Sequence, residues 1–215
     1  MLREHFSTEI FTILIIVSLI LTATAKLLYP KRFQEFISIL INFRYLRIYS
    51  REQKFFDGFE AILFSNLVIG LAVFTFIFYN NGFQNESVPQ SSLFKIGFAI
   101  GVFMLIKVLI ERLISSVLNL DFIINDYLFE KINYKNFLGL ILIPVNALLI
   151  YRFEPNENTL LVIVSILLTI NSIGLIFFFK KHQNTIKKNF FYFILYLCAL
   201  EISPYLVLYK LIQNA

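Results

Sequence analysis

Lys107, Glu111, Ser115 and Asn119 recur every four residues within an apolar run from Leu93 to Asp121, with Arg112 beside Glu111. In a helix, a spacing of four stacks side chains along one face. Charges there are costly: Lys, Arg or Asp at the centre of a spanning helix costs about 2.5–3.5 kcal/mol on insertion scales. Such groups therefore find partners or water. Lys107 and Glu111 can pair on their own helix, and long side chains near a span end can reach back to the headgroups. Two readings stand: a self-satisfied pair near the inner interface, or a polar stripe turned toward other helices.

Glu201 is the second unusual charge. It lies between Leu200 and Ile202, near the middle of the last apolar run, with no basic residue within two turns. A buried carboxyl of this kind stays protonated unless a cation or water reaches it. Lys107, Asn66, Asn146 and Asn171 are its candidate partners, with Lys107 first, and Pro204 removes a backbone donor and frees a carbonyl nearby. Helix packing and a proton or ligand site are both open roles. The candidate intramembrane polar site is thus Glu201, Lys107, Glu111, Arg112 and Asn146.

Other chemistry has little to build on. The single cysteine, Cys198, sits in an apolar run, and the two histidines, His5 and His182, have no clustered ligands around them. Zinc motifs, a histidine haem pair and a Ser-His-Asp arrangement are therefore not proposed. There is no glycine-rich phosphate loop and no carboxylate pair at catalytic spacing. No catalytic residue, cofactor or metal is expected. A membrane enzyme would need a polar cluster converging at one interface, which the sequence shows only weakly around Glu111, Arg112, Asp121 and Asp126.

The elements that must position these residues are membrane helices. The 215 residues are 58% hydrophobic and 15% charged, with a mean hydropathy of +0.75. Ordinary soluble domains carry about a quarter charged residues. Several runs reach the roughly 20 residues a helix needs to cross a bilayer. The expected fold is an all-α, polytopic membrane helix bundle of about six spans in a single domain over 1–215. The spans are expected at about 6–28, 59–79, 93–118, 137–151, 159–179 and 190–211. Ala23-Thr24-Ala25 resembles a signal-peptide cleavage site, but the leader is acidic as well as basic, so an uncleaved first helix is expected. The fourth run is short and contains Pro144, so a re-entrant segment is its alternative. A short surface helix can precede it, over Asp121 to Asn136.

After the first span, residues 31–54 read as an amphipathic helix on the bilayer surface. Ile37, Ile41, Tyr45 and Ile48 share one side, and Arg44, Arg47, Arg51 and Lys54 lie on the adjoining side, facing anionic headgroups. Lys and Arg fall fourteen to four in favour of the odd-numbered loops, with Lys107 left out as intramembrane. The positive-inside rule then puts those loops in the cytoplasm and both termini in the periplasm. The net charge of +5 follows from this topology and anionic lipid, not from a nucleic-acid partner.

Tyr29-Pro30-Lys31-Arg32-Phe33, Leu200-Glu201-Ile202-Ser203-Pro204 and Tyr209-Lys210 resemble an uncharacterised inner-membrane family of Bacteroidota, known only as a domain of unknown function. The resemblance implies an all-helical protein of the bacterial inner membrane and carries no activity or catalytic residue. Two functions compete. Short loops and the missing catalytic motifs and repeats favour a non-enzymatic scaffold or accessory subunit of a cell-envelope complex, contacting other inner-membrane proteins or itself. The alternative is a small-solute or proton-coupled transporter using Glu201 with Lys107 and Glu111.

Overall fold

The computed structural model describes residues 8–39, 44–49, 57–82, 89, 91–117, 121–152, 156–181 and 210. Among them are seven helices: α1 (Thr8–Leu28), α2 (Pro30–Ile37), α3 (Arg44–Tyr49), α4 (Gly58–Gly82), α5 (Ser92–Val117), α6 (Asp121–Tyr151) and α7 (Glu157–Lys181). The fold is an all-α bundle. Four helices, within α1, α4, α5 and α6, are long and apolar enough to cross a membrane. The sixth expected span, 190–211, lies outside the described residues apart from residue 210.

Neighbouring long helices run in opposite directions. Phe11 on α1 packs at a tilt against Phe76 on α4, while Tyr29, just past the other end of α1, meets Phe59 at the start of α4. Gly97 and Gly101 on α5 face Ala72 and Val68 on α4, again in reverse order. By contrast α4 and α6 run parallel: Leu67 lies against Gly139, Gly70 against Leu142, and Asn146 donates from Nδ2 to the Gly70 carbonyl at 2.9 Å. Gly139 is what brings these two helices close. A Cβ there would lie 2.8 Å from the Leu67 Cα and 3.1 Å from its nitrogen, so no side chain fits without parting the backbones.

The expected break near residue 137 is absent. α6 is one helix of 31 residues, about 46 Å long, well beyond the roughly 30 Å of a hydrocarbon core. Pro144 sits inside it. The proline removes one donor, but Asn146 and Leu142, anchored on α4, hold the helix on course past it. The segment 121–136 is therefore the first half of this helix, and its Ile124, Tyr127 and Tyr134 are buried.

The stretch after α1 also differs from expectation. Pro30 occupies the first helical position of α2, where its missing N–H costs nothing. α2 ends at Ile37 in a turn, with the Ile39 N–H donating to the Phe36 carbonyl, and α3 begins anew at Arg44. That break resets the helical phase, so the side expected to be uniformly apolar is split. Ile37 and Ile48 are exposed, while Tyr45 is fully buried. The face turned into the protein carries Phe33, Phe36, Tyr45 and Leu46, packed on Phe59, Leu63 and Phe129.

Candidate functional site

The fourfold spacing puts Lys107, Glu111 and Ser115 on one face of α5, and all three are buried. Glu111 is 0% exposed. Its principal partner comes from the next helix rather than its own. Lys131 of α6 donates from Nζ to Glu111 Oε1 at 2.7 Å, whereas Lys107 Nζ stands 3.9 Å from the same oxygen. Lys131 counts among the cytoplasmic loop cations on sequence alone, but the connection from α5 to α6 takes only residues 118–120. With the helix continuous from Asp121, Lys131 falls three turns inside it, its ammonium 5.3 Å from the Tyr127 ring centre. One carboxylate therefore gathers two lysines, Lys107 from its own helix and Lys131 from α6.

A second cluster lies at the same end of the bundle, where α4 and α6 begin. Arg32 of α2 donates to Asp57 and, at 3.3 Å, to Glu60 Oε1, both at the start of α4. Its Nε donates to the Tyr45 hydroxyl at 3.2 Å, and that hydroxyl donates to Asn133 Oδ1 at 3.1 Å. Asn133 in turn donates to the Phe129 carbonyl at 2.8 Å. The guanidinium carbon lies 4.8 Å from the ring centres of both Tyr49 and Phe59, within cation–π range. Asp57 also caps α4, its Oδ1 accepting the Phe59 N–H at 3.1 Å. Burial works against the Arg32 charge, but Tyr45 and Asp57 outweigh it and hold the guanidinium above its ordinary pKa. Burial also pushes the Tyr45 phenol up, so it remains a neutral donor.

The two clusters approach each other. Arg112, next to Glu111, is close enough to Glu60 for their charges to attract. Polar contacts at this end thus join α2, α3, α4 and α6 through Arg32, Tyr45 and Asn133, and α5 to α6 through Glu111 and Lys131. Farther along α4 and α6, Asn66 and Asn136 are buried, and neither amide has a hydrogen-bond partner among the described residues. Asn146 is placed by its bond to Gly70, away from the charged layer. Glu201, Arg51 and Lys54 lie outside the described residues, as do the side chains of Arg44 and Arg47. The described residues hold no group of three His, Cys, Asp or Glu placed to bind a metal.

Residues 11–212 match a family described as a domain of unknown function. The chain belongs to the DUF4271 family. No curated protein and no solved structure matches it. For this member of DUF4271, sequence reasoning missed Arg32, Asp57, Lys131 and Asn133 as parts of the polar layer. Arg32 had a signal, since it sits in the Tyr29–Phe33 motif that carries the family resemblance. Asp57 had another, as an acid just ahead of an apolar run, where a helix cap belongs. Lys131 had none, because its burial depends on where α6 begins and what it packs against.

Proposed function

We propose that this membrane protein is a non-enzymatic scaffold or accessory subunit of a cell-envelope complex in the bacterial inner membrane. One observation carries the reading. Glu111, the buried carboxylate of α5, is closed between Lys107 and Lys131 with no exposure. Charges spent on one another hold helices in place, and a carrier needs them open to one side of the membrane. A groove along α1, α4 and α5, away from these charges, is lined by apolar side chains and Ser65. Both termini are periplasmic in this reading, and Arg44, Arg47, Arg51 and Lys54 meet anionic headgroups on the cytoplasmic leaflet.

The test is reciprocal purification of a tagged chromosomal copy in mild detergent, followed by mass spectrometry. A defined partner is expected. A clean monomer under several conditions would sink the scaffold.

A transporter is the second reading, favoured by the second Glu111 oxygen, which is buried and accepts no hydrogen bond from the described residues. Glu201 with Lys107 and Glu111 would then carry a proton. Proteoliposomes that acidify under a proton gradient, and lose this on Glu201→Gln, would establish it.

A further inference from the structure

The groove along α1, α4 and α5 encloses about 590 Å³, within the roughly 300–1,000 Å³ typical of small-ligand pockets. Its floor is made of small residues, with Gly97 and Gly101 on α5 set against Ala72 and Val68 on α4. Phe94 and Phe98 stand up along one edge, both largely exposed. Ser65 gives it a hydroxyl, but that group is turned back to the Ala61 carbonyl at 3.0 Å. What fills this space must be hydrocarbon.

Length separates a lipid chain from a helix. On α5 the lining runs from Leu93 to Leu105, about 18 Å at the helical rise. That is close to one leaflet, about half of a 30 Å hydrocarbon core. A crossing helix would need a face about 30 Å long to pack along its span. The groove also begins at an end of the bundle suited to a negative headgroup. Lys95 follows Phe94 directly, is exposed, and is paired with no described residue. The first turn of α5 contains no acid, and the positive end of a helix dipole favours an anion there.

We propose that this groove holds one acyl chain of an anionic phospholipid, from the leaflet opposite the charged layer, with the headgroup against Lys95 and the start of α5. Native mass spectrometry of the full chain in mild detergent tests this, using phosphatidylglycerol and phosphatidylethanolamine with identical chains. Phosphatidylglycerol should be retained about fivefold better, the preference that one basic residue near an anionic lipid provides. Lys95→Glu, at an exposed position, should erase that preference while leaving some retention of both lipids. Val102→Trp, which fills the groove from its open side, should reduce retention of both. Equal retention of the two lipids by the unaltered chain would overturn the headgroup assignment. Retention unchanged by Val102→Trp would overturn the groove as the binding place. A dimer that Val102→Trp dissociates would assign the groove to a second copy instead.

Discussion

Glu111 and Lys131 form a pair whose value lies in being complete. Removing one member of a buried ion pair leaves an uncompensated charge and typically costs about 3–5 kcal/mol. Lys131→Met should therefore lower the thermal stability of the detergent-purified protein sharply. Glu111→Gln combined with Lys131→Met should recover part of the loss, because the buried carboxylate is then gone and only Lys107 loses a charged neighbour. A double variant as unstable as Lys131→Met alone would show that the pair does not act as a unit. Tyr45 gives a pH dependence of definite sign. Burial raises its phenol in the folded state, so its contribution is intact below the unfolded value of about 10. It is lost as pH rises through the folded value, since ionisation is harder in the folded protein than in the unfolded one. Tyr45→Phe should flatten the alkaline fall in melting temperature while costing about 1 kcal/mol at neutral pH for its hydrogen bond.

Between elements, the α4–α6 contact is the tightest and the most specific. Gly139→Ala puts a methyl carbon against Leu67 backbone, which cannot rotate out of the way. Overpacking of this kind costs about 1–3 kcal/mol, and parting the helices would also strain the Asn146 bond to Gly70. Gly101→Ala is the matched control. Its Cβ meets Val68 at 3.5 Å, an ordinary contact, so little change is expected. Equal melting temperatures for the two alanine variants would mean that α4 and α6 are not held by close backbone approach.

Across the whole molecule, alternating helix direction gathers the charges at one end. The starts of α4 and α6, the end of α5 and the α2–α3 pair share that end, while Lys95 and the Thr12–Tyr151 hydroxyl contact at 2.6 Å mark the other. With Cys198 replaced by Ser, single cysteines at Gln34 and Lys95 should label from opposite sides of the membrane. Gln34 is expected on the cytoplasmic side. Labelling of both from one side would break the alternating arrangement, and labelling of Gln34 from outside would invert the topology.

The sequence by itself determined the helical membrane class, the family resemblance and the shared helix face of Lys107, Glu111 and Ser115. These follow from local rules: apolar length measured against bilayer thickness, and a periodicity that aligns every fourth side chain. It did not determine the continuity of α6, because Pro144 and the polar stretch 121–136 argue locally for a break that packing on α4 overrides. Nor did it determine that Lys131, rather than Lys107, is the nearer partner of Glu111, or that Arg32 joins Asp57, Glu60 and Tyr45. Those pairings link residues 20 or more apart in most cases, and distance along the chain carries no record of them. Only the tertiary structure decided them: a buried charge takes the partner whose backbone is brought within reach, and here the crossing of helices brings it there.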